Sequence, residues 1–288
     1  MMDARGPRGR TTQAQAVHRA VLVAAVLAVF VPDGPSTAAA QAGPWTREPA
    51  VEGAFDLPPG APSVLVHAPP AFDGAGPLQL VVFLHGWNGC VRVLAQSGEV
   101  ACRAAEAARE GWGLVDRFDE ADVDALLVIP QLAYRLRSGD PGAFAIPGRP
   151  GAFLDEVVSA LGLDGASRPP AIVLAHSAGF EAALSFRSTA GAIVLFDALY
   201  RGVDPFADWL VADRRRRLWT IHVGRGRPAR QSARLMTVLR ERVPDDARLE
   251  GAYEDLVASW PRLVSARTRL PHGEVPSRIL ADVLRRLL

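Results

Sequence analysis

Four stretches of this chain are apolar without alternation: "LQLVVFLHG" (78–86), "DALLVIPQ" (124–131), "PPAIVLAHS" (169–177) and "GAIVLFDAL" (191–199). A strand with one wet face alternates, so unbroken runs of this length predict parallel strands covered on both faces. "RLWTIHVG" (217–224) and "VSARTRLP" (264–271) are weaker strand candidates, and "SVLVHAP" (63–69) reads as an earlier, antiparallel edge strand. Helical spacing appears between them. "GAFLDEVVSALG" (151–162) places Phe153, Leu154, Val157, Val158 and Leu161 on one side. "ARQSARLMTVLRERV" (229–243) does so with Leu235, Val238, Leu239 and Val243. "EVPSRILADVLRRLL" (274–288) turns Leu280, Val283, Leu284 and Leu287 inward and Arg278, Arg285 and Arg286 outward. Strands alternating with helices predict an α/β fold: a doubly wound, mostly parallel sheet with helices on both faces.

Ligands of such sheets bind beyond the carboxyl ends of the strands, so the residues just after each strand are the candidates for chemistry. The third run ends in Ala175-His176-Ser177-Ala178-Gly179, with small residues two positions either side of a serine. A sharp strand-to-helix turn needs that smallness, and it lifts the serine hydroxyl above the sheet. The five residues alone are a weak signal. The apolar strand before them, and Ala182 and Ala183 in the helix after them, supply the context. A plain core serine entering a loop is the competing reading.

At this point the chain resembles the α/β-hydrolase superfamily, with serine esterases and lipases as the default comparison, over nearly all of 63–288. Ala175 stands where the family more often has Gly. The resemblance implies the chain order serine, acid, histidine. Ser177 is then the nucleophile. His272, in "TRLPHGEVP" between the last strand and the final helix, is the general base. His222 lies within an apolar strand and reads as a packed histidine. The usual acid position after "RLWTIHVG" is empty, because "RGRPARQSARL" holds no Asp or Glu. Asp197, at the end of "LFDALY", becomes the acid candidate, with Asp204 as runner-up. By the same resemblance, His85-Gly86 in "FLHGWNGC" marks the oxyanion loop, and the backbone N–H groups of Trp87 and Ala178 are the expected donors. The segment from 199 to 217 is too short for a large cap domain, which predicts an open cleft.

Composition refines the picture. The chain has 288 residues, 49% hydrophobic and 22% charged, enough for one sizeable core. Residues 1–42 differ from the rest: Arg5, Arg8, Arg10 and Arg19 precede the apolar "AVLVAAVLAVFV", and "STAAAQA" comes after it. That order predicts a secretory signal peptide, leaving 43–288 as the hydrolase domain and an exported protein. Without that segment, the net charge falls from +1 to −1, because four Arg and two Asp leave with it. A near-neutral chain gives no electrostatic reason to expect nucleic acid or an anionic membrane as partner. "DRRRR" (213–217) reads as a solvated helix end, and Arg225 and Arg227 read as solvated, with contact to an anionic substrate group as the alternative if their loop reaches the cleft. Cys90 and Cys102 are the two cysteines, and in an exported chain they predict a disulfide closing a short loop. No metal site, nucleotide loop or cofactor is implied. The expected function is an exported serine hydrolase of carboxylic esters. A peptidase or amidase on the same residues is the first alternative, and a silent binding protein on the same scaffold the second.

Overall fold

Each unbroken apolar run becomes a strand in the computed structural model, which describes residues 44–256 and 260–288. The predicted signal peptide lies outside the described residues. The strands are β1 (Trp45–Arg47), β2 (Val64–Ala68), β3 (Leu80–Leu84), β4 (Glu99–Val100), β5 (Arg109–Glu110) and β6 (Leu126–Pro130). After them come β7 (Ala171–His176), β8 (Ala190–Phe196), β9 (Arg217–Val223), β10 (Arg248–Ala252) and β11 (Leu263–Thr268). The helices are α1 (Val91–Ala95), α2 (Leu114–Asp119), α3 (Arg149–Ala160), α4 (Phe180–Phe186), α5 (Val203–Ala212), α6 (Arg227–Leu239) and α7 (Val275–Leu287).

Nine strands form one sheet in the order β1-β2-β6-β3-β7-β8-β9-β11-β10, and β4 and β5 form a separate ribbon. From β6 to β10 every pairing is parallel, while β2 runs antiparallel to both β6 and β1. Side chains of successive strand residues face opposite ways. Val82, Leu84, Val173, Ala175 and Leu195 therefore join one core, with Phe153, Leu154, Phe186, Phe206 and Leu235 of α3, α4, α5 and α6. Val81, Phe83, Leu174, Val194 and Phe196 join the other, with Leu94, Phe118, Ile279, Leu280 and Leu284 of α1, α2 and α7. Two covered faces are the physical reason for apolar runs without alternation.

Three expectations need correction. β2 is not an edge, because β1 pairs outside it, with Thr46 opposite His67. "DRRRR" does follow the end of α5, with Asp213 at its C-cap and Arg214, Arg215 and Arg217 exposed, but Arg216 is not simply solvated: it lies over Trp209, 5.3 Å from its ring. Arg286 does not simply face water, since its guanidinium lies 4.7 Å above the Trp260 ring and its side chain is 16% exposed. Long arginine stems cover apolar surface while the charge stays near water, and a helical-wheel reading overlooks this.

The chain leaves β3 toward β6 on one side of the sheet and, from β7 onward, builds the other side. This reversal opens a crevice beyond the carboxyl ends of β3 and β7.

Candidate active site

Parallel strands put the residues that come after β3, β7, β8 and β11 at one end of the sheet. Ser177 directly succeeds β7, Asp197 directly succeeds β8 and His272 stands four residues beyond β11. Ser177 has φ 53° and Asp197 φ 44°. Both lie in the left-handed region that non-glycine residues rarely adopt. Such backbone persists only where the surroundings over-determine it, and it concentrates at functional sites.

Close approach explains the small residues around Ser177. A Cβ at Gly179 would fall 2.2 Å from the carbonyl oxygen of Leu84, so only glycine lets the turn press against the end of β3. A Cβ at Gly86 would fall 2.8 Å from Cβ of Ser177 and 3.3 Å from the backbone nitrogen of Ala178. The loop after β3 and the turn after β7 are therefore in contact through glycine on each side.

Behind that loop, the ring of His85 is buried. Leu132 N–H, which can only donate, lies 2.9 Å from His85 Nε2, so the proton sits on Nδ1 and is donated to the Gly86 carbonyl at 2.8 Å. Burial lowers the pKa of His85 to about 4, keeping the ring neutral. The planar trans peptide held in this way carries the Trp87 N–H on its other end, pointing away from the ring. Gln131 also donates to His85 Nε2, at 3.0 Å, and to the carbonyls of Gly89 and Leu132. The Cys90–Cys102 disulfide begins one residue beyond Gly89 and ties the loop to the segment carrying β4 and β5.

Asp197 is 5% exposed. Its Oδ2 accepts from His272 Nδ1 at 2.6 Å and its Oδ1 from the N–H of Val223 at 3.0 Å. The carboxylate thus reaches His272 across the end of β9, where no acidic residue is needed. Asp204 lies on α5 and pairs with Arg234 at 3.2 Å. His222 is half-buried in β9, with burial lowering its pKa. His176, the residue before Ser177, donates from Nε2 to the backbone carbonyl of His272 at 3.0 Å. The two imidazoles lie 4.6 Å apart. Burial, then the neighbouring His272, lowers the pKa of His176 to about 3.

Trp87, Ser177, Ala178, Phe180, Tyr200 and His272 line one cleft of about 490 Å³. The Ser177 hydroxyl meets the phenol of half-buried Tyr200, whose pKa is raised, chiefly by desolvation. Sequence reasoning passed over Tyr200, although it stands only three residues after Asp197. It also passed over His85 and His176 as supports. The loop of residues 135–151 packs behind the turn: a Cβ at Gly139 would fall 2.5 Å from Glu181 Oε1 and 3.1 Å from the Ala178 carbonyl. Among the described residues no cluster of His, Cys, Asp and Glu could hold a metal ion, and no helix is long and apolar enough to cross a membrane.

No protein-family profile matches the chain, and no curated protein sequence does. Among solved structures, a puromycin-hydrolyzing peptidase of Mycobacterium tuberculosis aligns at 14% identity over 84% of this chain and 38% of its own, with a TM-score of 0.39. A hormone-sensitive lipase from a metagenome library aligns at 11% identity over 83% of this chain and 84% of its own, at 0.43. A Pyrococcus furiosus esterase aligns at 12% identity over 78% and 82%, at 0.42. The chain thus spans under two fifths of the peptidase. Likeness of this size carries no argument about activity, and the fold rests on the chain's own topology. A nine-stranded, mostly parallel sheet with helices on both faces, no large cap and a reversal of strand order between β3 and β7 is the α/β-hydrolase fold.

Proposed function

We propose that this protein is an exported serine hydrolase that cleaves carboxylic esters through Ser177, His272 and Asp197. The observation that carries the reading is the cleft that Ser177, at a left-handed turn, shares with a histidine whose Nδ1 is held by the buried Asp197. That hydrogen bond leaves Nε2 of His272 to take the serine proton. Ser177 Oγ attacks the carbonyl carbon and forms the C–O bond, while the carbonyl electron pair moves to oxygen. The N–H groups of Trp87 and Ala178 receive that oxyanion, each donor contributing on the order of 3 kcal/mol to the transition state. As the oxyanion re-forms the carbonyl, the ester C–O bond breaks and the imidazolium gives its proton to the departing alkoxide oxygen, which releases the alcohol and leaves the acyl group on Ser177. Water then repeats the sequence on the acyl-enzyme and releases the acid. Asp197 holds the ring in the tautomer this requires and stabilises the imidazolium without taking its proton.

The Cys90–Cys102 disulfide supports export, since such bonds persist in oxidising compartments. An amide or peptide substrate would use the same steps. One observation favours a silent binding protein instead: the Ser177 hydroxyl is engaged by Tyr200. A hydroxyl rotates about a single bond, and catalytic hydrogen bonds of empty sites often tighten only on substrate binding. Treatment with a fluorophosphonate decides between them. The hydrolase incorporates the label, and Ser177→Ala abolishes incorporation together with turnover of p-nitrophenyl esters. A wild-type protein that takes no label and turns over no ester is the silent scaffold.

A further inference from the structure

The start of α6 reaches the cleft, and this changes the reading of Arg227, whereas Arg225 stays exposed outside its lining. The charged side chains lining the cleft beside His272 are Glu181, Arg201 and Arg227. Arg201 is neutralised where it stands: its guanidinium lies 2.8 Å from Glu181 and 5.7 Å from the centroid of the Phe180 ring. Arg227 is not. It opens α6, whose first turn holds no acidic residue, and it has no carboxylate partner among the described residues. Further along, Arg234 is matched with Asp204 at 3.2 Å and Arg242 with Asp208 at 2.8 Å, while Arg230, which has no carboxylate partner among the described residues either, lies outside the lining of the cleft. Asp197, the buried carboxylate of the site, is committed to His272 and Val223. The cleft therefore carries one uncompensated positive charge, beside a wall formed by Trp87, Phe180 and Tyr200.

We infer that the substrates of this cleft carry a carboxylate, which Arg227 binds while Ser177 addresses a carbonyl elsewhere in the same molecule. The inference rests on the serine-hydrolase reading and narrows it from carboxylic esters at large to anionic ones. A planar guanidinium presents two parallel N–H donors to the two oxygens of a carboxylate, a geometry neither an ammonium nor a neutral amide reproduces. Because Arg227 is exposed, the ion pair works partly through water and is weakened by salt. The result is a modest preference rather than absolute selection.

The test compares p-nitrophenyl hydrogen glutarate, which bears a free carboxylate, with neutral p-nitrophenyl pentanoate of the same chain length. The wild type is expected to favour the anionic ester in kcat/KM, and Arg227→Gln to reduce that ratio about fivefold, as expected for an exposed ion pair. Arg230→Gln removes the same charge from the same helix outside the cleft and is expected to leave the ratio unchanged. Added salt should shrink the wild-type ratio and leave that of Arg227→Gln unmoved. A ratio that survives Arg227→Gln, or falls equally in Arg230→Gln, overturns the inference. Titration of the two esters onto Ser177→Ala, monitored by tryptophan fluorescence, separates this question from catalysis. Preferential binding of the anion that Arg227→Gln abolishes sustains the inference even if the wild type turns over neither ester, an outcome that would end the hydrolase reading alone. Equal binding of both esters overturns the inference, whatever the rates.

Discussion

Two regions of this molecule place a hydroxyl, an imidazole and a carboxylate together, and only one of them resembles a site. In the first, Thr46 Oγ1 lies 2.8 Å from His67 Nδ1, and His67 Nε2 lies 2.7 Å from Asp119 Oδ1. In the second, Asp197 holds His272 in a cleft that Ser177 shares. The imidazoles are used in opposite senses. His67 gives Nε2 to the carboxylate and is 2% exposed, so both its nitrogens are spent on tying β1 and β2 to α2. His272 gives Nδ1 to the carboxylate and keeps 42% of its side chain exposed. Thr46 sits on an ordinary strand, whereas Ser177 is held at positive φ against a glycine loop. Proximity of three residue types is therefore a weak criterion. Access to the hydroxyl, nearby backbone donors and an imidazole nitrogen with nothing else to do separate chemistry from architecture.

The largest effect expected from this contrast is on rate. Asp197→Asn should lower kcat for a p-nitrophenyl ester by on the order of 10⁴, because the amide favours the wrong imidazole tautomer. Neither Thr46→Val nor Asp119→Asn should move kcat/KM beyond about twofold. Steady-state kinetics on the three variants check this, and a rate loss at Thr46 matching that at Asp197 would erase the distinction.

A second contrast appears in acid. His85 and His176, packed around the site, are held neutral by burial, with pKa values lowered from 6.5 to about 4 and about 3. Unfolded, both take up a proton near pH 6.5, while the folded chain refuses it until those lower values are reached. Their contribution to stability is complete above pH 6.5 and is lost as the pH falls through the window from 6.5 to about 4, with His176 extending the loss to about 3. The combined loss is on the order of several kcal/mol. Urea unfolding at stepped pH reads the slope, which should be shallower in His85→Gln. An unchanged slope would mean that this ring does not refuse the proton.

The smallest expected effect belongs to the architectural cluster. Asp119→Ala leaves the buried N–H of His67 without an acceptor and should cost about 1–3 kcal/mol in urea unfolding, with kcat unaltered. Loss of activity without loss of stability would reverse the roles assigned to the two regions.

Much of this was legible in the chain. Apolar runs and helical spacing located β2, β3, β6, β7, β8, β9 and β11, together with α3, α6 and α7, because those elements bury long faces and the burial constrains composition. Less was legible where elements are short or exposed. β1, β4, β5 and β10 bury little, so their residues carry no pattern, and the edge position of β2 was misread for lack of β1. Tyr200 left no signal, since a tyrosine beside an acid is compatible with any surface. Arg227 read as solvated because its distance from Ser177 depends on how α6 packs after β9.

What the amino-acid order determined alone is local: a serine between residues small enough for a sharp turn, a glycine loop after a buried strand, and the sequence of serine, acid and histidine. What the tertiary structure decided is which carboxylate meets His272, which imidazoles support the site and which charge the cleft retains. Asp197 and His272 lie 75 residues apart and meet because parallel strands bring their carboxyl ends to one end of the sheet. Composition records burial, since burial acts on each residue separately. Pairing depends on where two distant segments come to rest, and no single stretch of sequence holds that information.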